Sequence, residues 1–394
     1  MSGLLKILDE AIRVIGGRAD QMVTPAARRL QPTGERFFDE STAAYDRTMD
    51  IVPQVDFRDR YPRPADPSRM PLNNRMAPLM EASSEISEEL ARRTRPGIGT
   101  NSQYFYRTGP IYEGMENVGV DPNAFMQRFG ATFAGSSPRT PTDRNLINST
   151  MLSFRDEMGL PLDRPVLNQD AINDVGYGMI VNMHPGLTRR LLEGQDVFPT
   201  NPKPSSFEQN TLGNLAGTTA DTHNIRGSIM SFDALYPGQV PREWFHSNDA
   251  YRQYLDEGLS PALLSSKTGL NDSLQSQTVR GQSAQVEYGP MAAITEGAAD
   301  RLGIPYADTQ SLGWFGMGAD TGLASENKTI VQLLNDRINV TAQYLGVPQE
   351  VVARLYGEGK IPLLGVGGAG LMSMVGNQDP NAELEAYLAG SNTQ

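Results

Sequence analysis

An all-α, mostly helical fold is predicted for this chain on three observations. Helix-like stretches recur from residue 101 to 346, and period-two alternation rich in Val, Ile and Thr is nearly absent. The breaks between stretches fall at Gly, Pro and Asn. With 394 residues, 39% of them hydrophobic, the chain has material for a buried core and for two or three domains of ordinary size. Four regions are read along it: an amphipathic N-terminal helix (1–20), a Pro/Arg-rich extended arm (21–100), a helical body (101–346) and a glycine-rich apolar tail (347–394).

In the first region Leu4, Leu8, Ala11, Ile12 and Ile15 share one helical face, Lys6, Asp9, Glu10 and Arg13 lie elsewhere, and Gly16 and Gly17 supply a stop. The polar face is charge-balanced rather than cationic, which favours docking on the body or on a neighbouring subunit over lying on a membrane. The second region carries nine prolines between Pro25 and Pro96, with arginines among them. That spacing forbids long helices and favours extended chain, as in an arm that wraps another surface or a flexible linker. A short helix is expected at 81–94. In the body, helices are expected near 121–132, 142–158, 169–182, 186–194, 205–215, 222–232, 248–257, 286–302 and 327–345. The tail contains IPLLGVGGAGLMSMVG (361–376). Its apolar run of about fifteen residues is too short to span a bilayer at ~1.5 Å per residue. Small residues from Gly365 to Gly370 allow close backbone approach. A buried or subunit-interface segment is the first reading, and membrane insertion the sharper alternative.

Composition removes several functional classes. There are no cysteines, which excludes disulfides, thiolate zinc sites, iron–sulfur clusters and a cysteine nucleophile. Only His184, His223 and His246 supply imidazole, too few for a multi-histidine metal centre. No apolar run reaches eighteen residues, and the N-terminus lacks a small-residue cleavage site after an apolar core. Net charge is −12, and it is unevenly placed. Residues 1–110 carry 16 Lys and Arg against 15 Asp and Glu, whereas residues 111–394 carry 18 against 31. So acidic a body argues against non-specific tracking of DNA phosphates, while leaving room for local basic patches. Phosphate-loop, HExxH, GxSxG and EF-hand patterns are absent, and GVGGAG (365–370) has neither the preceding strand nor the βαβ context of a dinucleotide loop. Dispersed carboxylates nominate neither a two-carboxylate glycosidase nor a metal cage. Tyr104, Phe105, Tyr106 and Arg107 form an aromatic–cation cluster that suits either base stacking or, more simply, a core. Trp244 and Trp314 are read as core or interface.

One constellation carries chemistry. FAGSSPRTPTDRNLINSTML (133–152), PTNPKPSSFEQNTLGNL (199–215) and ADTHNIR (220–226) together resemble the helix-hairpin-helix DNA glycosylase superfamily, including a largely phage-encoded branch of glycosylase-like proteins. The first segment is similar to the family's LSxQTxxxxVN pattern, with Asn145 at the VN position and Arg139 where the family has Gln. ADTHNIR is similar to VDTHxxR, and Lys203 stands 18 positions before Asp221, the family's separation between hairpin lysine and aspartate. The resemblance covers about 120–230 and weakly extends to 345. FPTNPK (198–203) replaces the glycine-rich PGVGxK hairpin, so close backbone approach to a DNA phosphate is weakened where the family has it. The resemblance implies a helix-hairpin-helix body with Asp221 as the carboxylate that stabilises an oxocarbenium-like sugar. It implies Lys203 as the amine that attacks C1′ of an extruded nucleotide. It assigns nucleic-acid contacts to Arg139, Asn145, His223 and Arg226, and calls for no metal and no cofactor. Plainer readings stand beside these: Asp221 as a helix N-cap, Lys203 as a solvated loop cation and His223 as a packed or capping residue.

The sequence thus leads to a phage protein with a DNA-glycosylase-like helical body, virion-associated as an internal or ejected component and nucleic-acid-binding. An active DNA N-glycosylase/lyase using Lys203 and Asp221 is the alternative. Expected partners are DNA, other virion proteins or further copies of the chain, with membrane contact by the tail. The expected location is the virion, or the host cytoplasm after delivery or expression.

Overall fold

The computed structural model describes residues 34–61, 77–138, 140, 142–159, 162, 183–245, 247–260, 263–264, 278–279, 282–283, 288–316 and 327–363. The expected helices at 3–15 and 169–182, Arg139, and the tail beyond Leu363 lie outside these residues.

The described residues are mostly helical, as the sequence predicts. In chain order the α-helices are α1 (Thr42–Asp46), α2 (Thr48–Ile51), α3 (Ala77–Glu81), α4 (Ser83–Thr94), α5 (Gly109–Asn117), α6 (Pro122–Ser136), α7 (Thr142–Glu157) and α8 (Met183–Leu192). They continue with α9 (Pro202–Thr211), α10 (Thr222–Leu235), α11 (Asn248–Glu257), α12 (Tyr288–Leu302), α13 (Tyr306–Gly316), α14 (Ile330–Leu345) and α15 (Gln349–Gly357). A two-residue antiparallel ladder, β1 (Thr278–Val279) with β2 (Gln282–Ser283), pairs Thr278 with Ser283.

Local chemistry sets the helix boundaries. Asp121 opens α6 by accepting the N–H groups of Asn123 and Ala124, with Pro122 at the first helical position. Ser247 caps α11, and Gly258 at φ +88° ends it. α9 starts three residues earlier than its sequence pattern suggests, because Pro202 and Pro204 sit in the first turn, where a missing N–H costs nothing. It ends earlier as well, since the chain turns at Gly213 with φ +91°.

The described residues gather into two compact units. The first takes the described residues of Met1–Glu40, Ile111–Leu192 and Gln332–Gln394. Its core includes a ladder of rings on α6, Phe125, Phe129 and Phe133, stacked at 5.9 and 5.3 Å, with Tyr356 of α15 edge-on to Phe125. α6 and α8 approach so closely that a Cβ on Gly135 would lie 2.7 Å from the Thr188 Cα. Asn335 of α14 binds the backbone of Phe37 and Phe38, accepting both N–H groups and donating to the Phe38 carbonyl. Leu363 is buried, and its N–H donates to Thr150 Oγ1 at 3.3 Å.

The second unit takes the described residues of Ser41–Pro110 and Glu193–Val331. α4 packs on α12 and α10, burying Ile86, Leu90, Ile225, Ile229, Met291 and Ile294. Phe57, Tyr61 and Leu79 join the same core. Part of the segment read as an arm is therefore folded into this unit. Its prolines permit helices of a few residues, and the aromatic residues between them are buried.

Candidate functional site

The residues nominated from DTHNIR and the hairpin lysine come from α9, α10 and the loop 212–221 that joins them, all within the second unit. Lys203 is the second residue of α9. Just before it the chain folds into a tight turn in which Thr200 and Asn201 both donate to the Val197 carbonyl, at 3.1 and 2.7 Å. Pro202 and Pro204 have no N–H to offer, and the Ser205 N–H returns to the Asn201 carbonyl at 3.2 Å. The backbone of this turn therefore offers few free donors.

The loop is held from several sides. Asn210 of α9 donates to the carbonyls of Asn214 (2.9 Å) and Gly217 (3.0 Å) and accepts from Thr219 Oγ1 (2.8 Å). Gln54 donates to the Gly213 carbonyl and accepts the Leu215 N–H, and Asn214 Nδ2 donates to the Val55 carbonyl. The Tyr61 hydroxyl bridges the N–H and carbonyl of Thr218, both at 2.7 Å. The Ala220 N–H donates to the Tyr288 hydroxyl at 2.9 Å. These bonds fix the path from the first turn of α9 to the start of α10.

Asp221 starts α10 through a capping box. Its Oδ1 accepts the N–H groups of His223 (2.9 Å) and Asn224 (3.3 Å), while the Asn224 side chain accepts the Asp221 N–H (3.2 Å). Asn224 is itself anchored by donating to Thr295 Oγ1 at 2.9 Å. The N-cap reading of Asp221 is thus realised. Both capping bonds use Oδ1, which leaves Oδ2 outside the cap. Burial, with the Asp221 charge adding to it, keeps the Tyr106 and Tyr288 phenols above their usual range.

His223 stands with its ring 5.1 Å from that of Trp314. Burial drives its pKa down to about 4; Asp221 opposes that shift, and Lys203 and Arg226 add to it. Lys203, Asp221 and Arg226 therefore all lie within electrostatic reach of one imidazole. Arg226 is half-buried one turn into α10, with its pKa lowered by burial.

Asn145 belongs to the first unit and is 2% exposed. Its Nδ2 donates to the Phe133 carbonyl and its Oδ1 accepts from Ser136, so it ties α7 to α6 and reaches a nucleic acid only if that core opens. Tyr104, Phe105 and Tyr106 are buried, and Arg107 pairs with Asp308 inside the second unit. That cluster is core rather than a stacking surface.

Glu208, on the same helix as Lys203, carried no signal in the sequence. Burial pushes its pKa up to about 7, with Arg60 opposing. Among the described residues, no cluster of three or more His, Asp or Glu could hold a metal ion, and no helix is long and apolar enough to cross a membrane. Comparison of the chain with protein-family models, curated proteins and solved structures finds no match.

Proposed function

We propose that this chain is a virion-associated phage protein, internal or ejected, whose helical body is glycosylase-like and engages nucleic acid around Lys203 and Asp221. One observation carries the reading. A lysine in the first turn of α9 is followed, 18 residues on, by an aspartate that caps α10, and the loop between them is clamped. That is the order in which the glycosylase superfamily it resembles uses a hairpin lysine and an aspartate. The Pro/Arg-rich stretch and the glycine-rich tail support virion association, because an enzyme acting alone needs neither.

Binding on so acidic a body is local. With Lys203 and Arg226 as the cations, the slope of log K against log salt is expected to be no steeper than about −2. Fluorescence anisotropy with an abasic-site duplex tests the site. Wild-type protein is expected to bind, and Lys203→Ala to bind about tenfold more weakly. Equal binding by the variant would remove Lys203 from the site. Mass spectrometry of purified particles tests virion association, which fails if the chain is absent from them.

The alternative, an active N-glycosylase/lyase, is favoured by Asp221 Oδ2 lying outside the cap. In that reaction Lys203 Nζ attacks C1′, and the C1′–N bond breaks with its electron pair leaving on the base, which takes up a proton. The Asp221 carboxylate stabilises positive charge on the sugar, and the amine is left joined to C1′ for conversion to a Schiff base.

A further inference from the structure

Residues 36–40 are held on the first unit in the way a bound peptide is held. The Asn335 Oδ1 on α14 accepts the N–H groups of Phe37 (3.0 Å) and Phe38 (2.7 Å). Its Nδ2 donates to the Phe38 carbonyl (3.0 Å) and to Glu40 (2.7 Å). One carboxamide thus reads both the donors and the acceptor of an irregular backbone, while side chains add the selectivity. Phe38 is 1% exposed and packs on α5, where a Cβ at Gly114 would come within 2.5 Å of its ring. Arg36 pairs with Asp336 (3.3 Å) and with Glu40 (2.8 Å), and Gln332 donates to Glu40 (3.3 Å). The partners outside the segment, on α5 and α14, all belong to the first unit.

The chain leaves that unit at once, because from Ser41 onward it belongs to the second. Asp39 and Ser41 are exposed, and Ser41 has extended backbone (φ −69°, ψ 149°) before it caps α1. A segment seated on one unit and joined to the other by a short exposed link leaves its seat by rotation at that link alone, and it meets identical partners on another copy. We infer that this clip is exchanged between copies: Arg36, Phe38 and Glu40 of one copy seat on α5 and α14 of the next. The occupant is a second copy of this chain because the seat fits the chain's own sequence. Gly114 leaves room for a ring, Asp336 calls for a cation, and Asn335 and Gln332 offer donors to a carboxylate. The inference goes beyond the nucleic-acid reading and does not depend on it.

The chain has no cysteine, so introduced thiols are linked without background. Arg36 and Gln332 flank Glu40, and both are half-buried. Full-length Arg36→Cys and Gln332→Cys are mixed at a concentration where light scattering shows association, and treated with a short bismaleimide. In that mixture every link between the two positions joins two chains. Linked peptides carrying both cysteines are expected in the two-chain band. The same link found in the double variant but confined to its one-chain band, and missing from the mixture, would overturn the exchange. So would a wild-type chain that stays monomeric at millimolar concentration. A link absent from mixture and double variant alike would contradict the clip itself. If a thiol variant fails to give the wild-type helical circular-dichroism signal, benzoylphenylalanine placed at the exposed Glu35 replaces it, in a mixture of isotope-labelled and unlabelled chains. Adducts on α14 are then expected between labelled and unlabelled chains, and adducts only within one chain would overturn the exchange.

Discussion

His223 is held neutral because burial outweighs the attraction of Asp221, and that has a consequence for stability. Its folded pKa of about 4 lies below the ordinary 6.5, so between those values the unfolded chain binds more protons. The contribution is complete above pH 6.5 and is lost as pH falls towards 4, by at most about 3 kcal/mol. Urea unfolding at pH 7 and 4.5 is expected to show a smaller loss for His223→Gln than for the wild type; identical losses would contradict the burial. Asp221 is both cap and candidate carboxylate, and two substitutions separate these roles. Asp221→Ala is expected to lower stability by about 1 kcal/mol, whereas Asp221→Asn keeps a good capping side chain and removes only the charge. A ligand effect shared by both variants belongs to the carboxylate. Borohydride trapping on abasic duplex tests the lyase reading: a covalent adduct lost in Lys203→Ala supports it, and trapping that persists in the variant points to another amine.

At the scale of elements, the clamped loop 212–221 joins the helix that carries Lys203 to the helix that Asp221 caps. Removing its inner clamp by Asn210→Ala deletes three buried hydrogen bonds and is expected to cost about 2–4 kcal/mol by urea unfolding, with weaker nucleic-acid binding even where the protein remains folded. Gly135→Ala would press a methyl group onto the Thr188 backbone, with an expected cost of about 1–3 kcal/mol in the same assay. Much of this level was legible in the sequence. α7, α10 and α11 follow their expected ranges closely, and Asp221 is a cap as its plainer reading has it. Gln54, Tyr61 and Asn210 were not legible as clamps, because their bonds reach loop carbonyls and N–H groups that no side-chain pattern marks.

Over the whole molecule, each unit draws on segments far apart in sequence, and a reading along the chain holds no signal for that. Phe38 and Tyr45 stand in the proline-rich region, yet both are buried, since the apolar residues among prolines pack even where long helices cannot form. The last described residue, Leu363, is buried, which sets where the apolar tail can be cut without opening the first unit. Deleting residues 364–394 is expected to leave the helical circular-dichroism signal intact and to lower oligomerisation or particle incorporation. A truncated chain that assembles normally would contradict a tail that serves as an interface. The claim that nucleic acid is engaged around Lys203 and Asp221 is tested most directly by photo-crosslinking a halogenated-uracil oligonucleotide to the full chain and mapping the modified peptides. Adducts are expected within 198–226. Adducts confined to other segments, or none at a concentration that saturates binding, would contradict it.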